Sequence, residues 1–185
     1  MSVGTLASRV LIGGLFIGHG TQKLKGWFGG PGLEGTDGMM QSINMHPARR
    51  NSIAAGVTET AGGAMLAIGL ATPLASAGLI GTMITAIRKV HLANGPWAAN
   101  GGWEFNAVLI EALVALAEEG PGEVSVDRLL GHDRSGVAWG LGALALGAVV
   151  STAAIEAGRR AGQDALADDG TSPHPDTAGD PVTSA

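Results

Sequence analysis

The sequence predicts an all-α protein, a transmembrane helical bundle of five spans. Three observations lead there. Apolar residues gather into blocks at 3–24, 53–70, 74–87, 105–117 and 137–155. The blocks are rich in Leu, Ala and Gly and show no apolar/polar alternation, so helices rather than a closed barrel satisfy the backbone in lipid. Ionisable residues recur inside the blocks or at their ends, where each costs roughly 2.5–3.5 kcal/mol on insertion scales unless it is paired or lines a cavity.

A hydrocarbon core of about 30 Å takes about 20 helical residues to cross. Blocks 3–24, 53–70 and 137–155 meet that length directly. Blocks 74–87 and 105–117 meet it only when residues 88–94 and 100–104 extend the helices. Block 3–24 does not read as a cleaved leader, because Lys23 and Lys25 follow its apolar core and no small-residue cleavage site comes after it. The connection 25–51 carries Gly26-Trp27-Phe28-Gly29-Gly30-Pro31-Gly32, too glycine-rich for one regular helix, and is expected to include a short interfacial helix. Pro73 marks a tight turn that makes the second and third spans an antiparallel hairpin. Gly14/Gly18 and Gly136/Gly140 form GxxxG pairs, read first as packing within the bundle, with a homodimer left open. Residues 157–185 are polar and are expected to be disordered from about Ala161 onward.

Composition excludes several functions. With no cysteine there is neither a disulfide nor thiol redox chemistry, and there is no tyrosine. Electron transfer would therefore need a bound cofactor or a partner. The net charge of −5 forms no coherent acidic face, and no basic patch of the kind nucleic acids require is present. Neither HxxxH nor HExxH occurs, so no metal site is expected.

Basic residues are distributed unequally between the two ends of the predicted spans. Lys23, Lys25, Arg49, Arg50, Arg88, Lys89, Arg159 and Arg160 fall on one side, and Arg9, Arg128 and Arg134 on the other. The positive-inside rule then puts the N-terminus outside and the C-terminal tail in the cytoplasm. Arg9 and Lys89 read as snorkelling side chains. Trp27, Trp97 and Trp103 fall at one membrane face, as an aromatic belt would.

On that same face the spans bring together His19, Lys23, Glu59, Arg88, His91 and Glu104. Lys23 and Arg88 would offset Glu59 and Glu104 in a charge-balanced pocket holding two imidazoles able to titrate near neutrality. For Lys23 and Arg88 the competing reading is snorkelling. Glu59, several residues inside its span and followed by Gly62 and Gly63, cannot easily reach water and calls for a partner. Glu111 lies deeper, as a relay or helix-contact residue. Haem ligation by His19 and His91 is disfavoured, since nothing in the spacing aims both at one iron.

The strings His19-Gly-Thr-Gln-Lys23-Leu-Lys-Gly-Trp27-Phe-Gly-Gly-Pro-Gly, Glu59-Thr-Ala-Gly-Gly, His91-Leu-Ala-Asn-Gly and Asn100-Gly-Gly-Trp-Glu104-Phe, in this order between hydrophobic spans, resemble the DoxX family over about residues 6–127. The resemblance implies a multi-pass protein of the bacterial inner (plasma) membrane with a four-helix core. It also implies kinship with a membrane subunit of a thiosulfate:quinone oxidoreductase and with a mycobacterial tether of soluble redox enzymes. The family's polar positions match His19, Lys23, Glu59, His91, Asn100 and Glu104, which adds Asn100 to the expected pocket. Two departures stand out: Phe105 where a Tyr is common, and a fifth span with a tail. The chain then divides into a DoxX-like membrane domain (1–127), a loop and fifth helix (128–156) and a polar tail (157–185).

The expected function is a component of a membrane redox system with a polar intramembrane pocket near one face for a quinone or a similar small ligand. In it Lys23, Arg88 or His19 would donate to quinone oxygens, and Glu59 or Glu104 would move the proton. An adaptor recruiting soluble redox or detoxification enzymes is the second expectation, and a small-solute or proton transporter the third. Whether the chain is itself catalytic is left open.

Overall fold

The computed structural model describes residues 3–170. Its helices are α1 (Val3–Lys25), α2 (Gly32–Ser42), α3 (Ala48–Ile68), α4 (Thr72–Ala86), α5 (Glu104–Glu119), the single turn α6 (Val126–Leu129) and α7 (Val137–Gly170). No strand occurs among the described residues. α1, α3, α4 and α5 form the bundle, α2 lies across α1 and α3, and α7 packs along α4 and α5.

Close backbone approach joins α1 to α3. A methyl group on Gly13 would sit 2.5 Å from the Gly63 carbonyl oxygen, and one on Gly20 would sit 2.6 Å from that of Gly56. Small residues bring helix backbones together in this way in a membrane. The glycines used differ from the expected motif, however. Gly14 and Gly18 face open space, as does Gly136, whereas Gly140 packs against Val114 and Glu118 of α5. Spacing of four identified the right helix but the wrong face. The contact stripe on α1 is Gly13, Phe16 and Gly20, residues that recur at the three- and four-residue helical repeat.

The α3–α4 hairpin is set by its turn. Gly69 takes the left-handed conformation after α3, and Leu70 N–H donates to Met65 O at 2.8 Å, which satisfies the carbonyls that the helix end leaves free. Ala71 is also left-handed, with φ 46°, and Pro73 occupies the first turn of α4.

Phe16, Leu66, Leu79, Ile80, Leu113 and Leu116 fill the core. Around it Val10, Leu11, Leu15, Val108, Leu141 and Val149 stand exposed on α1, α5 and α7. α1 and α7 are long and apolar enough to cross a membrane, and only 33% and 22% of their most apolar stretches are buried inside the bundle. A soluble core helix would bury most of its surface, so these two faces are suited to lipid.

The other three predicted spans are less regular than expected. α3 carries Arg49, Arg50 and Glu59, α4 has 15 residues and α5 has 16. Past Ala86 the chain continues through a π-helical turn (Ile87–His91) and a 3-10 turn (Leu92–Asn94), so 88–94 does prolong the α4 rod. Residues 100–103 do not prolong α5, which starts at Glu104.

The tail, expected to be disordered from about Ala161 onward, stays helical through Gly170. Glu156 accepts from Arg159 and Arg160, each at 2.7 Å, and Arg159 donates to Gln163 at 2.9 Å. These pairs, three and four residues apart, support a helix beyond the apolar stretch. The rest of the predicted tail, 171–185, lies outside the described residues.

Candidate functional site

Lys23 lies in the last turn of α1 and Glu59 midway along α3. Their antiparallel packing brings Lys23 Nζ to 2.6 Å from Glu59 Oε2, with Glu59 only 5% exposed. The ammonium donates and the carboxylate accepts. A charge-assisted bond this short lets an ionised carboxylate persist where a lone one would be expelled. Thr36 of α2, fully buried, donates to the backbone oxygens of Gly32 and Lys23 at 2.7 and 3.3 Å and so pins α2 beside the pair.

The pair opens onto a partly open cavity of roughly 210 Å³ between α2, α3, α4 and α7. Its walls are mainly apolar, with Met39, Met40, Ile43 and Met45 from the α2 side, Ala54 and Ala55 from α3, and Val150 and Ala154 from α7. Thr58, Thr82, Thr85 and Ser151 add hydroxyls. Thr85 spends its proton on Ser151 Oγ or the Gly81 carbonyl, at 2.9 and 2.8 Å. An apolar chamber with a few convergent polar groups is the usual form of a small-molecule site, and unbranched thioethers let such walls adapt.

The seven residues expected to share a pocket separate into three groups. Lys23 and Glu59 meet in the cavity. Arg88 is exposed and donates to Thr152 Oγ1 of α7 at 3.0 Å, while His19 is exposed on α1 with its Nδ1 3.1 Å from Gln22 Oε1. The other three belong to the loop between α4 and α5. His91 Nδ1 donates to Gly101 O at 2.7 Å, Asn100 N–H donates to Trp97 O at 3.0 Å, and Glu104 Oε1 accepts from Ala98 N–H at 2.6 Å. Glu104 N–H also donates to Pro96 O at 2.8 Å, and Gly102 packs so closely on Gly95 and Pro96 that a side chain there has no room. The side chains of His19, His91 and Glu104, which shared one face of the membrane in sequence reasoning, are thus drawn into local hydrogen bonds. Glu111 is exposed on α5, and its side chain makes no hydrogen bond among the described residues.

A second polar centre, at the opposite end of the bundle, was not foreseen. Arg9 does not snorkel. It is 1% exposed and donates through Nη2 to Val124 O at 2.7 Å. Asp127, 2% exposed, accepts from Ala71 N–H, Thr72 N–H and Thr72 Oγ1 at 2.8, 3.0 and 3.2 Å, and its own N–H donates to Gly69 O at 2.9 Å. Asp127 of the single turn α6 therefore caps α4 across the fold, and Arg9 sits against the same Gly69 turn. No sequence spacing links residues 9, 69–72 and 127. The methionine-rich stretch at 39–45, in the connection expected to include a short interfacial helix, is the one legible hint of the cavity wall.

Fold and site together define a small helical membrane protein with a buried ion pair beside an apolar cavity. Residues 4–92 match the DoxX family model, which supports membership of the DoxX family through that segment. No curated protein and no solved structure matches the chain. The family segment contains Lys23, Glu59 and the methionines, whereas the α7 wall of the cavity lies beyond it.

Proposed function

We propose that the protein is an integral component of a membrane redox system and that the cavity beside Lys23–Glu59 holds a quinone or a ligand of similar shape. The observation that carries this reading is the buried 2.6 Å ion pair at the wall of a mainly apolar cavity. Apolar walls suit a ring and the start of an isoprenoid tail. Lys23 would donate to a ring oxygen, and Glu59 would accept or deliver the accompanying proton. At roughly 210 Å³ the cavity suits a single substituted ring and is small for a haem macrocycle.

The reading includes all five apolar helices crossing the bacterial inner membrane. Lys25, Arg49, Arg50, Lys89, Arg159 and Arg160 would then face the cytoplasm, with the N-terminus outside. Arg9, buried in the bundle, no longer counts as a loop charge, which strengthens the bias.

The test is to purify the protein in mild detergent, extract it with organic solvent and identify bound small molecules by mass spectrometry with an absorption spectrum. A quinone retained by the native protein and lost from Glu59→Gln supports the redox reading. An empty protein that copurifies with soluble enzymes overturns it in favour of an adaptor.

One observation favours that second reading. α7 has 34 residues, about 50 Å of helix against a hydrocarbon core of about 30 Å, so its charged end would project from the membrane as a stalk. A transporter has no comparable support.

A further inference from the structure

α2 and the elbow that follows it supply one whole wall of the cavity, and that unit is attached differently at its two ends. At its start lies the Gly26–Gly32 stretch, in which Gly26, Gly29 and Gly32 all take positive φ (71°, 73° and 65°). Such residues absorb large backbone rotations at little steric cost. At its end, Met45 N–H donates to Met40 O at 2.9 Å and Asn44 N–H to Gln41 O at 3.0 Å, so the elbow moves with α2.

The elbow is seated on α7. A methyl group on Gly158 would lie 3.3 Å from Met45 Cα and 3.4 Å from its sulfur, and one on Gly162 would lie 2.8 Å from the His46 ring. Gly158 and Gly162 are one turn apart on a single face of α7, so together they make a notch that fits the elbow backbone and the imidazole. Met45, 3% exposed, reaches from this notch into the cavity wall. Both glycines lie outside the segment that matches the family.

We propose that α2 with its elbow is a lid over the Lys23–Glu59 cavity, hinged at Gly26–Gly32 and latched by Met45 and His46 on the Gly158/Gly162 notch of α7. The lid contributes Met39, Met40, Ile43 and Met45, so swinging it outward, which also gives up the Thr36–Lys23 hydrogen bond and the Asp37–Arg49 ion pair, exposes the pair and the α3 wall together. α7 thereby governs access to a cavity whose charged residues come from elsewhere. The proposal rests on the cavity being a ligand site, but its test requires no ligand, so either can fail while the other stands.

The chain has no native cysteine, which makes a single reporter thiol clean. Thr58→Cys places one on the α3 wall of the cavity, and its labelling by N-ethylmaleimide in detergent-solubilised full-length protein is followed by intact mass. Gly162→Leu fills the notch and is expected to speed labelling about tenfold, the effect of 1.4 kcal/mol removed from the latch. His46→Ala removes the ring without adding bulk to α7 and is expected to move the rate in the same direction. Gly142→Leu, on a part of α7 that faces open space, is the control and should leave the rate unchanged. Equal rates in all four proteins would overturn the latch, and so would a Gly142→Leu effect as large as that of Gly162→Leu, which would mean general loosening of α7.

Discussion

Lys23 Nζ lies 2.6 Å from Glu59 Oε2, and the two charges come from helices joined by a long connection that itself packs over them. The carboxylate is nearly shut off from solvent while the lysine keeps a fifth of its side chain exposed. Removing the lysine and removing the glutamate should therefore have unequal consequences.

Lys23→Ala strands a buried carboxylate and is expected to destabilise the protein by about 3 kcal/mol, the lower end for breaking a buried pair because Lys23 is partly solvated. Glu59→Gln leaves a lysine able to turn toward solvent and is expected to cost less. The double variant Lys23→Met/Glu59→Leu should recover most of the loss. Thermal unfolding of the detergent-solubilised variants orders the three. A Glu59→Gln variant less stable than Lys23→Ala would contradict the asymmetry.

The sequence offers Glu59 or Glu104 as the proton carrier, but Glu104 accepts from the Ala98 amide at 2.6 Å within its own loop. Glu104→Gln is expected to keep any ligand that copurifies with the native protein, whereas Glu59→Gln loses it. Hydrogen exchange at the Ala98 amide should quicken in Glu104→Ala. Ligand lost equally from both glutamine variants would show that the loop acid does contact the site.

At the far end of the bundle, Asp127 accepts three hydrogen bonds from Ala71 and Thr72. Asp127→Ala removes the cap of α4 and is expected to cost about 2 kcal/mol, the upper part of the range for capping residues because this one is buried. Arg9→Met should also destabilise, and the two effects should be non-additive because both residues hold the Gly69 turn. A double-mutant cycle on thermal stability reads the coupling. Strict additivity would separate the two residues.

Gly147 and Gly142 lie on the same helix yet should respond in opposite ways. A methyl group on Gly147 would lie 2.6 Å from Ile80 Cγ2 and 3.0 Å from Ala77 O, whereas Gly142 has nothing within 4 Å. Gly147→Ala is expected to cost about 1–3 kcal/mol through overpacking against α4. Gly142→Ala should be neutral or gain up to about 1 kcal/mol from helix propensity. Comparable losses at both positions would mean that α7 does not pack along α4 through this face.

Sequence alone determined a good deal. Block composition showed an all-helical membrane protein, the four polar strings pointed to the family, and Glu59 declared its need for a partner because a carboxylate deep in an apolar helix cannot remain unpaired. These properties follow from composition and from spacing within one helix, where geometry is fixed at 3.6 residues per turn. Tertiary structure decided the rest. It chose Lys23 as the partner of Glu59 and left His19 to Gln22, since only the rotation of α1 against α3 settles which side chain faces inward. That rotation was set by Gly13 and Gly20, not by the more conspicuous Gly14 and Gly18. It turned His91, Asn100 and Glu104 to closing a loop, because nearby backbone amides and carbonyls compete for the same polar atoms. It also joined Arg9, Gly69 and Asp127 in one cluster and set His46 on Gly162. Contacts between distant segments depend on how whole helices pack, and no local pattern encodes them.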